Sequence, residues 1–418
     1  MANQNLTGHS KYSVTITVDK SSSGIELRPF QEKAIERMSE KIKVRDFAGI
    51  LVLPTGAGKT LTSAYWIAQN ILDKGGKVLW IAHRHELLDQ AYNTFERLCH
   101  SDVFRSKNEL KVQLLSGVHD KPIQVDSNRD IIISSIDSLN REQGFKNLLD
   151  RWLSYINSSL LLVIDEAHHS TAQSYRKLMD NLRNNIGKFQ LLGLTATPYR
   201  TAEKEKGLLK KIYKDDIIYS IDLKTLVDQG WLSDPIFETL KTDADFSTTL
   251  TDSDKEKLKK GFDIDSIGDK TASNIASNSK RNLFIAETYL RNREKYKQTI
   301  IFAINQDNAI AINNTIKNLA KEKNITDVHC DYIISASERG VSGNSKENEI
   351  KIKDFRNGNI NVISNVSILT EGTDLPDTQT IFLTRPTHSK ILLTQMIGRG
   401  LRGGSKVSKG TQSAYIVS

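Results

Sequence analysis

Leu160-Leu161-Leu162-Val163-Ile164-Asp165-Glu166-Ala167-His168-His169 is the stretch that decides the fold. The apolar run 160–164 reads as a strand buried on both faces, the kind that fills a parallel sheet. It delivers two adjacent carboxylates to its own C-terminal end, where ligands bind in open α/β sheets. Neighbouring acids in a partly dry cleft repel one another and are costly without a task. A magnesium ion with a nucleoside triphosphate reconciles them: Asp165 would hold the metal through its bound water, and Glu166 would take a proton from the attacking water. The same residues are equally a strand running into a helix whose first turn carries acids, as the helix dipole favours. The surroundings decide between the two.

Working outward, buried-strand signals recur at 50–53, 78–82, 112–115, 131–134, 160–164 and 191–194, with helical patterns between several of them, for example at 61–72 and 86–98. Strand, helix, strand repetition predicts a parallel sheet covered on both faces. A second series follows at 299–303, 328–334, 360–364, 380–384 and 414–417, with helices expected over 274–290, 307–321 and 346–355. Two sheets of similar kind therefore stand in tandem. A polar stretch, roughly 241–278, separates them, with a short exposed helix expected at 253–260. Residues 222–232 read as a helix ended by Gly230, then a connector. The alternating run 12–18 predicts an exposed or edge strand.

With 418 residues, 38% hydrophobic and 26% charged, the chain is long enough for two or three ordinary domains. No apolar stretch is long enough to span a bilayer. The N-terminus lacks the basic-then-apolar order of a secretion signal. Cys99 and Cys330, the only cysteines, stand without CxxC or Cys/His spacing, which argues against a disulfide scaffold and a zinc site. The cytosol is the expected compartment. The net charge of +8 suits a polyanionic partner but is interspersed with acids, so it supports nucleic acid without establishing it.

The chemistry begins at Leu53-Pro54-Thr55-Gly56-Ala57-Gly58-Lys59-Thr60, which follows a strand and opens a helix. Gly56 and Gly58 let backbone N–H groups curl around phosphate oxygens. Lys59 would reach the β and γ phosphates, and the Thr60 hydroxyl would ligate magnesium. The general pattern wants glycine where Leu53 stands; the GxGKT core is intact. Upstream, Leu27-Arg28-Pro29-Phe30-Gln31 places a glutamine that can donate and accept together, matching the adenine N6/N7 edge. Ile81-Ala82-His83-Arg84-His85-Glu86 and Ser134-Ser135-Ile136-Asp137 end further strands, where such groups grip a phosphate backbone or, as readily, cap a helix. Leu194-Thr195-Ala196-Thr197 ends another in hydroxyls within potential reach of His168. In the second half, Gln395-Met396-Ile397-Gly398-Arg399-Gly400-Leu401-Arg402 carries two arginines three apart, expected on one face of a helix and suited to a γ-phosphate. The turn Leu369-Thr370-Glu371-Gly372-Thr373-Asp374 follows a strand.

Taken in order, these stretches resemble the motif series of a superfamily 2 helicase or translocase with a DEAH signature, over nearly all of residues 27–402. The resemblance implies two tandem RecA-like parallel-sheet lobes with ATP in the cleft between them and nucleic acid across the top. It places the first lobe at 25–235 after an N-terminal extension (1–24), and the second at 236–418, opening with the polar linker to about 278. It also implies roles: Arg28, Gln31 and residues Thr55, Gly56, Ala57, Gly58, Lys59 and Thr60 bind ATP and Mg²⁺, with Thr60 and Asp165 on the metal. Glu166 is the base. Gln395, Arg399 and Arg402 complete the site from the second lobe, beside Gly372 and Asp374. His168, Thr195 and Thr197 couple hydrolysis to movement, and His83, Arg84, Ser135 and Thr370 meet nucleic acid. LRPFQ, IAHRHELLDQA and MIGRGLR look most like motor subunits of restriction and phage-defence systems, which favours DNA over RNA and a protein partner supplying a nuclease or wedge. The expected activity is an ATP-dependent DNA helicase or translocase. The alternatives are an ATP-driven clamp, an RNA helicase, or a metabolic P-loop kinase, which would leave Arg399, Arg402 and the second sheet idle.

Overall fold

The computed structural model describes residues 12–44, 46–117, 119–121, 125–140, 142–153, 159–197, 206–241, 256, 269–334, 345–366, 369, 375, 378–385, 390–406 and 411–418. The chain divides into two compact units, the first Met1–Pro54 with Gly58–Asp222 and the second Thr55–Ala57 with Leu223–Ser418.

The first unit holds an eight-stranded sheet: β1 (Ser13–Thr17), β2 (Ala48–Val52), β3 (Lys77–Ala82), β4 (Glu109–Leu115), β5 (Ile131–Ser135), β6 (Leu160–Asp165), β7 (Phe189–Thr195) and β8 (Ile217–Ser220), in the order β1-β4-β5-β3-β6-β7-β2-β8. All pairings are parallel except β1 with β4. Residues 12–18 thus supply an antiparallel edge strand, and the expected N-terminal extension is in part a piece of this sheet. Residues Leu160–Asp165 form a central strand: β6 lies between β3 and β7 and is buried along its whole length. Its Leu, Ile and Val side chains are covered on both faces, each contributing about 1.5–3 kcal/mol of transfer free energy. Flanking helices present apolar stripes at helical spacing, as in Gln173–Asn185, which buries Tyr175, Leu178, Met179 and Leu182. Trp66, Trp80 and Trp152 are among the largest fully buried side chains.

The second unit holds a six-stranded, all-parallel sheet of β9 (Asp234–Glu238), β10 (Thr299–Phe302), β11 (Cys330–Ile333), β12 (Val362–Asn365), β13 (Thr380–Leu383) and β14 (Ser413–Val417), ordered β11-β12-β10-β13-β14-β9. Neighbouring side chains on each strand feed opposite cores. Ile301, Val362, Phe382 and Val417 pack under helices Ser279–Arg291 and Gln306–Glu322. Ile300, Ile363, Ile381 and Ile416 pack with Phe355 and Met396 on the other face.

Three expectations change. β9 pairs with β14 across Asp234↔Ser413 to Glu238↔Val417, so residues 223–235 belong with the second unit and the division falls earlier than 235/236. The helix expected over 274–290 is two, Asp269–Ala276 and Ser279–Arg291, because the Asn278 side chain accepts the Arg281 backbone N–H and starts a new helix. The helix expected at 61–72 begins at Lys59 and ends in a π-helical turn, Ala68–Leu72. The helix expected at 253–260 lies outside the described residues, apart from residue 256.

Candidate nucleotide site

The loop after β2 turns on Gly56 (φ +86°) and Gly58 (φ +79°), left-handed conformations open to glycine at little cost. Gly58 caps the helix Lys59–Ile67, whose first residues are the proposed phosphate and metal groups. A Cβ on Gly58 would meet Gln31 Nε2 at 2.6 Å, so the glutamine amide lies directly over this turn. Gln31 is buried, and its Oε1 accepts the Arg28 backbone N–H at 2.8 Å, closing the start of helix Pro29–Lys41. One amide thus caps its own helix and faces the loop.

β6 brings the acids to the same neighbourhood. Glu166 stands just past the strand with φ 52° and ψ 57°, a left-handed conformation rare outside glycine, and the chain continues as the 3₁₀ turn Ala167–Thr171. The acids therefore precede the helical turn rather than occupying its first turn. Asp165 is 1% exposed, and its Oδ1 accepts the Glu166 backbone N–H at 3.0 Å. Lys59 Nζ donates to Glu166 Oε1 and lies 3.6 Å from Asp165 Oδ1. One ammonium thus serves both carboxylates. Burial pushes the Glu166 carboxyl up, but Lys59 and then His168 outweigh it and hold the group well below the usual carboxylate range.

A relay runs onward from Glu166. His168 Nδ1 is 3.3 Å from Glu166 Oε2 and 3.3 Å from Thr195 Oγ1. The Thr195 hydroxyl donates to the Thr197 carbonyl at 2.9 Å and accepts the Thr197 N–H at 3.1 Å. With that hydroxyl hydrogen committed, the arrangement assigns the His168 proton to Nδ1, donated to Thr195 Oγ1, with Glu166 Oε2 beside it at ion-pair distance. The His168 and His169 rings lie 4.2 Å apart, and the His169 ring lies 4.4 Å from that of His83, just past β3, tilted by 55°. His169 carried no role in the sequence reading; only the adjacent pair His168-His169 hinted at it.

Thr60 and Asp165 offer two oxygen donors, a set that fits magnesium, which takes one or two protein oxygens and fills its octahedron with phosphate and water. Among the described residues, no cluster of three His, Cys, Asp or Glu side chains could hold a metal by itself.

Arg84 opens the helix His85–Arg97 as its N-cap residue. Ser135 is 5% exposed, with its hydroxyl 2.9 Å from Ser138 Oγ and accepting the Ser138 N–H, so its visible task is starting the helix Ile136–Asn140. In the second unit, Gln395 and Arg399 are buried on the helix Lys390–Gly400. Arg402 does not share that helix, contrary to the spacing argument. The helix ends at Gly400, and Gly403 and Gly404 then take φ of 143° and 110°, which turns the chain away. Burial, reinforced by the Arg356 charge, draws the Arg402 guanidinium down to about 10. Thr370, Gly372 and Asp374 lie outside the described residues.

Two protein families match the chain: the type III restriction enzyme, res subunit, over residues 24–200, and the helicase conserved C-terminal domain over residues 279–404. A Saccharomyces cerevisiae protein named provisionally as ATP-dependent helicase IRC3 is 29% identical over 386 residues, covering 90% of this chain and 49% of its own length. The type I restriction enzyme EcoAI endonuclease subunit of Escherichia coli is 23% identical over 399 residues, covering 93% of this chain and 45% of its own length. The chain thus spans about half the length of these curated relatives. In fold, it resembles a fragment of an HsdR subunit of a type I restriction enzyme from Vibrio vulnificus, with a TM-score of 0.61, 17% identity, and coverage of 93% of this chain and 63% of that one. It also resembles the Pyrococcus furiosus Hef helicase domain, with a TM-score of 0.52, 16% identity, and coverage of 94% and 97%.

Proposed function

We propose, on the premise that this chain is a superfamily 2 helicase similar to restriction motor subunits, that it hydrolyses ATP to move along DNA. The observation that carries the reading is the continuous path Lys59–Glu166–His168–Thr195–Thr197, which links a phosphate-loop lysine to the end of a neighbouring strand. Lys59 is shared between the acids and an incoming γ-phosphate. When phosphate oxygens draw the ammonium over, Glu166 loses the partner that depresses it most, and its affinity for a proton rises. The base is thereby armed only with substrate present. Gln31 reads the adenine edge, and Thr60 and Asp165 hold Mg²⁺, which supplies charge neutralisation at the transferring phosphate. We assign Gln395, Arg399 and Arg402, with Gly372 and Asp374, to ATP hydrolysis as well.

His168 reports the Glu166 charge to Thr195 and Thr197, and so to the β7 end. His83, Arg84, Ser135 and Thr370 are assigned to the nucleic-acid track. The restriction res-subunit match supports DNA as the track, a partner subunit supplying a nuclease or wedge, and a setting in antiviral defence. We place the protein in the cytosol. Its two cysteines are buried and free, with burial pushing Cys99 to about 12 and Cys330 to about 11. Among the described residues, no helix is long and apolar enough to cross a membrane. The test is the ATPase rate with single-stranded DNA, duplex DNA and RNA at fixed salt, because backbone contacts depend steeply on salt. Stimulation by RNA alone overturns the DNA reading; no stimulation by any of the three overturns the motor reading. A strand-displacement assay then separates helicase from clamp.

A further inference from the structure

Glu166 holds a left-handed backbone, and strain of that kind persists only where the surroundings over-determine it. Polar contacts fix the turn from one side: Asp165 Oδ1 accepts the Glu166 N–H, and the Glu166 carbonyl accepts the His169 N–H at 2.9 Å. The residue that follows, Ala167, is fully buried, and its carbonyl accepts the Ser170 hydroxyl at 2.5 Å. What Ala167 packs against is decided one strand away. Gly193 of β7 pairs with Ile164 of β6, one step before the pair Asp165–Leu194. A Cβ on Gly193 would meet Tyr213 Cε1 and Cζ at 2.7 Å each and the Ala167 Cβ at 2.8 Å. A glycine inside a strand marks a close approach, and here the Tyr213 ring and the Ala167 methyl share the space a side chain would fill.

Tyr213 is mounted rigidly. It is fully buried and follows the helix Lys206–Ile212, its N–H donating to the Leu209 carbonyl at 3.0 Å. Its own carbonyl accepts the Asp216 N–H at 3.0 Å, in a turn where Asp216 takes φ 56°. Asp215 ties that turn to β2: its Oδ2 accepts the Ala48 N–H at 2.8 Å, and its N–H donates to the Ala48 carbonyl at 2.9 Å. Leu209, Ile212 and Tyr213 belong to the same apolar core as Ala167. In an interior packed as densely as an organic crystal, a displaced ring displaces its neighbours. Moving the Tyr213 ring therefore moves Ala167, and with it the backbone that aims Glu166.

We propose that Tyr213, seated in the slot left by Gly193, is a positioning residue that holds the Glu166 carboxylate in place for ATP hydrolysis. The inference rests on Glu166 as the base and adds the part of the fold that aims it. Ring carbons make the contacts over Gly193, so the shape of the side chain matters there and its hydroxyl does not.

Initial-rate ATPase assays and thermal melts on the full chain test this, at a temperature where the assayed variants are folded. Tyr213→Leu should lower kcat by about 10–100-fold with KM for ATP within about three-fold, since a misplacement of about 1 Å suffices for such a loss. Tyr213→Phe keeps Cε1 and Cζ and should stay within about two-fold of the parent. Phe104→Leu, at a buried ring outside the core cluster of Ala167 and Tyr213, should lower the melting temperature comparably and leave kcat within about two-fold, which separates aiming from stability. Gly193→Ala crowds the slot from the strand side and should also lower kcat, which keeps the test valid if Tyr213→Leu fails to fold. In the double variant the new methyl fills space the ring vacates, so kcat should exceed the value expected from multiplying the two losses. Parental kcat in folded Tyr213→Leu, an equal loss of kcat in Phe104→Leu, or strictly multiplicative losses in the double variant overturns the proposal. Glu166→Gln, run alongside, isolates the premise: parental turnover there sinks the base assignment, and a crystal structure of Tyr213→Leu still decides the positioning. Residue 166 released from φ 52° sustains the proposal; an unmoved residue 166 overturns it.

Discussion

Replacing Lys59 should damage the resting protein far more than replacing its partner Glu166, an asymmetry that follows from who shares whom. Lys59 touches both Asp165 and Glu166, and all three side chains are nearly enclosed, at 12%, 1% and 9% exposed. Lys59→Met leaves two adjacent carboxylates in low dielectric without a cation, and breaking a buried pair from one side costs about 3–5 kcal/mol. Glu166→Gln leaves Lys59 still facing Asp165 at 3.6 Å, with an isosteric amide against His168, so its cost should stay near 1 kcal/mol. At roughly 2–4 °C per kcal/mol, the lysine variant should melt about 6–20 °C lower and the glutamine variant only a few degrees lower.

The pH dependence sharpens the contrast. In the intact protein the folded Glu166 pKa is depressed, so its stabilisation is present above the unfolded carboxylate value and is lost only in strong acid. Without Lys59, burial dominates and raises the folded value above the unfolded one, giving a penalty that shrinks as the pH falls. The melting gap between Lys59→Met and the parent should therefore narrow from about pH 7 to about pH 5. Thermal melts by circular dichroism, without nucleotide or magnesium, supply the measurement. Equal losses for the two variants, or a gap that widens in acid, would refute the shared-ammonium account.

Other substitutions have equally definite outcomes. Glu166→Gln should lower DNA-stimulated turnover by about 10²–10⁴ while a fluorescent ATP analogue still binds; turnover within ten-fold of the parent removes the base assignment. Gly58→Ala should lower stability by about 1–3 kcal/mol and weaken nucleotide binding, because the residue combines φ +79° with Gln31 Nε2 at 2.6 Å from any Cβ, and an unchanged melting curve contradicts this. Thr195→Val removes the hydroxyl joining His168 to Thr197 and should reduce the ratio of DNA-stimulated to basal ATPase; an intact ratio breaks the relay argument. Arg402→Ala should lower kcat by roughly 10³ if it stabilises transition-state charge, and a change confined to KM would make it a binding group instead.

The strands built from continuous apolar runs were legible in the sequence because burial on both faces leaves little room for polar residues, as in β3, β5 and β6. β8 and β9 were not, for they are short edge strands: β8 (Ile217–Ser220) turns polar at its end, and β9 (Asp234–Glu238) carries a proline and two acids. The phosphate loop could be read because glycine at Gly56 and Gly58 is a backbone requirement. Glu166 shows the opposite case, since its left-handed backbone leaves no compositional trace. Nothing in residue spacing reveals that Gln31 closes its own helix start while overlying Gly58, or that one lysine serves two acids. The arginine pair shows spacing misapplied: a three-residue interval puts side chains on one face only while the helix lasts, and the glycines that end it were in plain view.

The left-handed Glu166 has an evolutionary consequence. Glycine or asparagine would adopt φ 52° and ψ 57° with less strain than glutamate, so at this position relief of strain and retention of the proposed base pull in opposite directions. A population freed from selection for turnover should drift toward those residues wherever the strain relieved outweighs the Lys59 and His168 contacts given up. Glutamate persisting at 166 through many generations would then itself be a record of a motor kept in use.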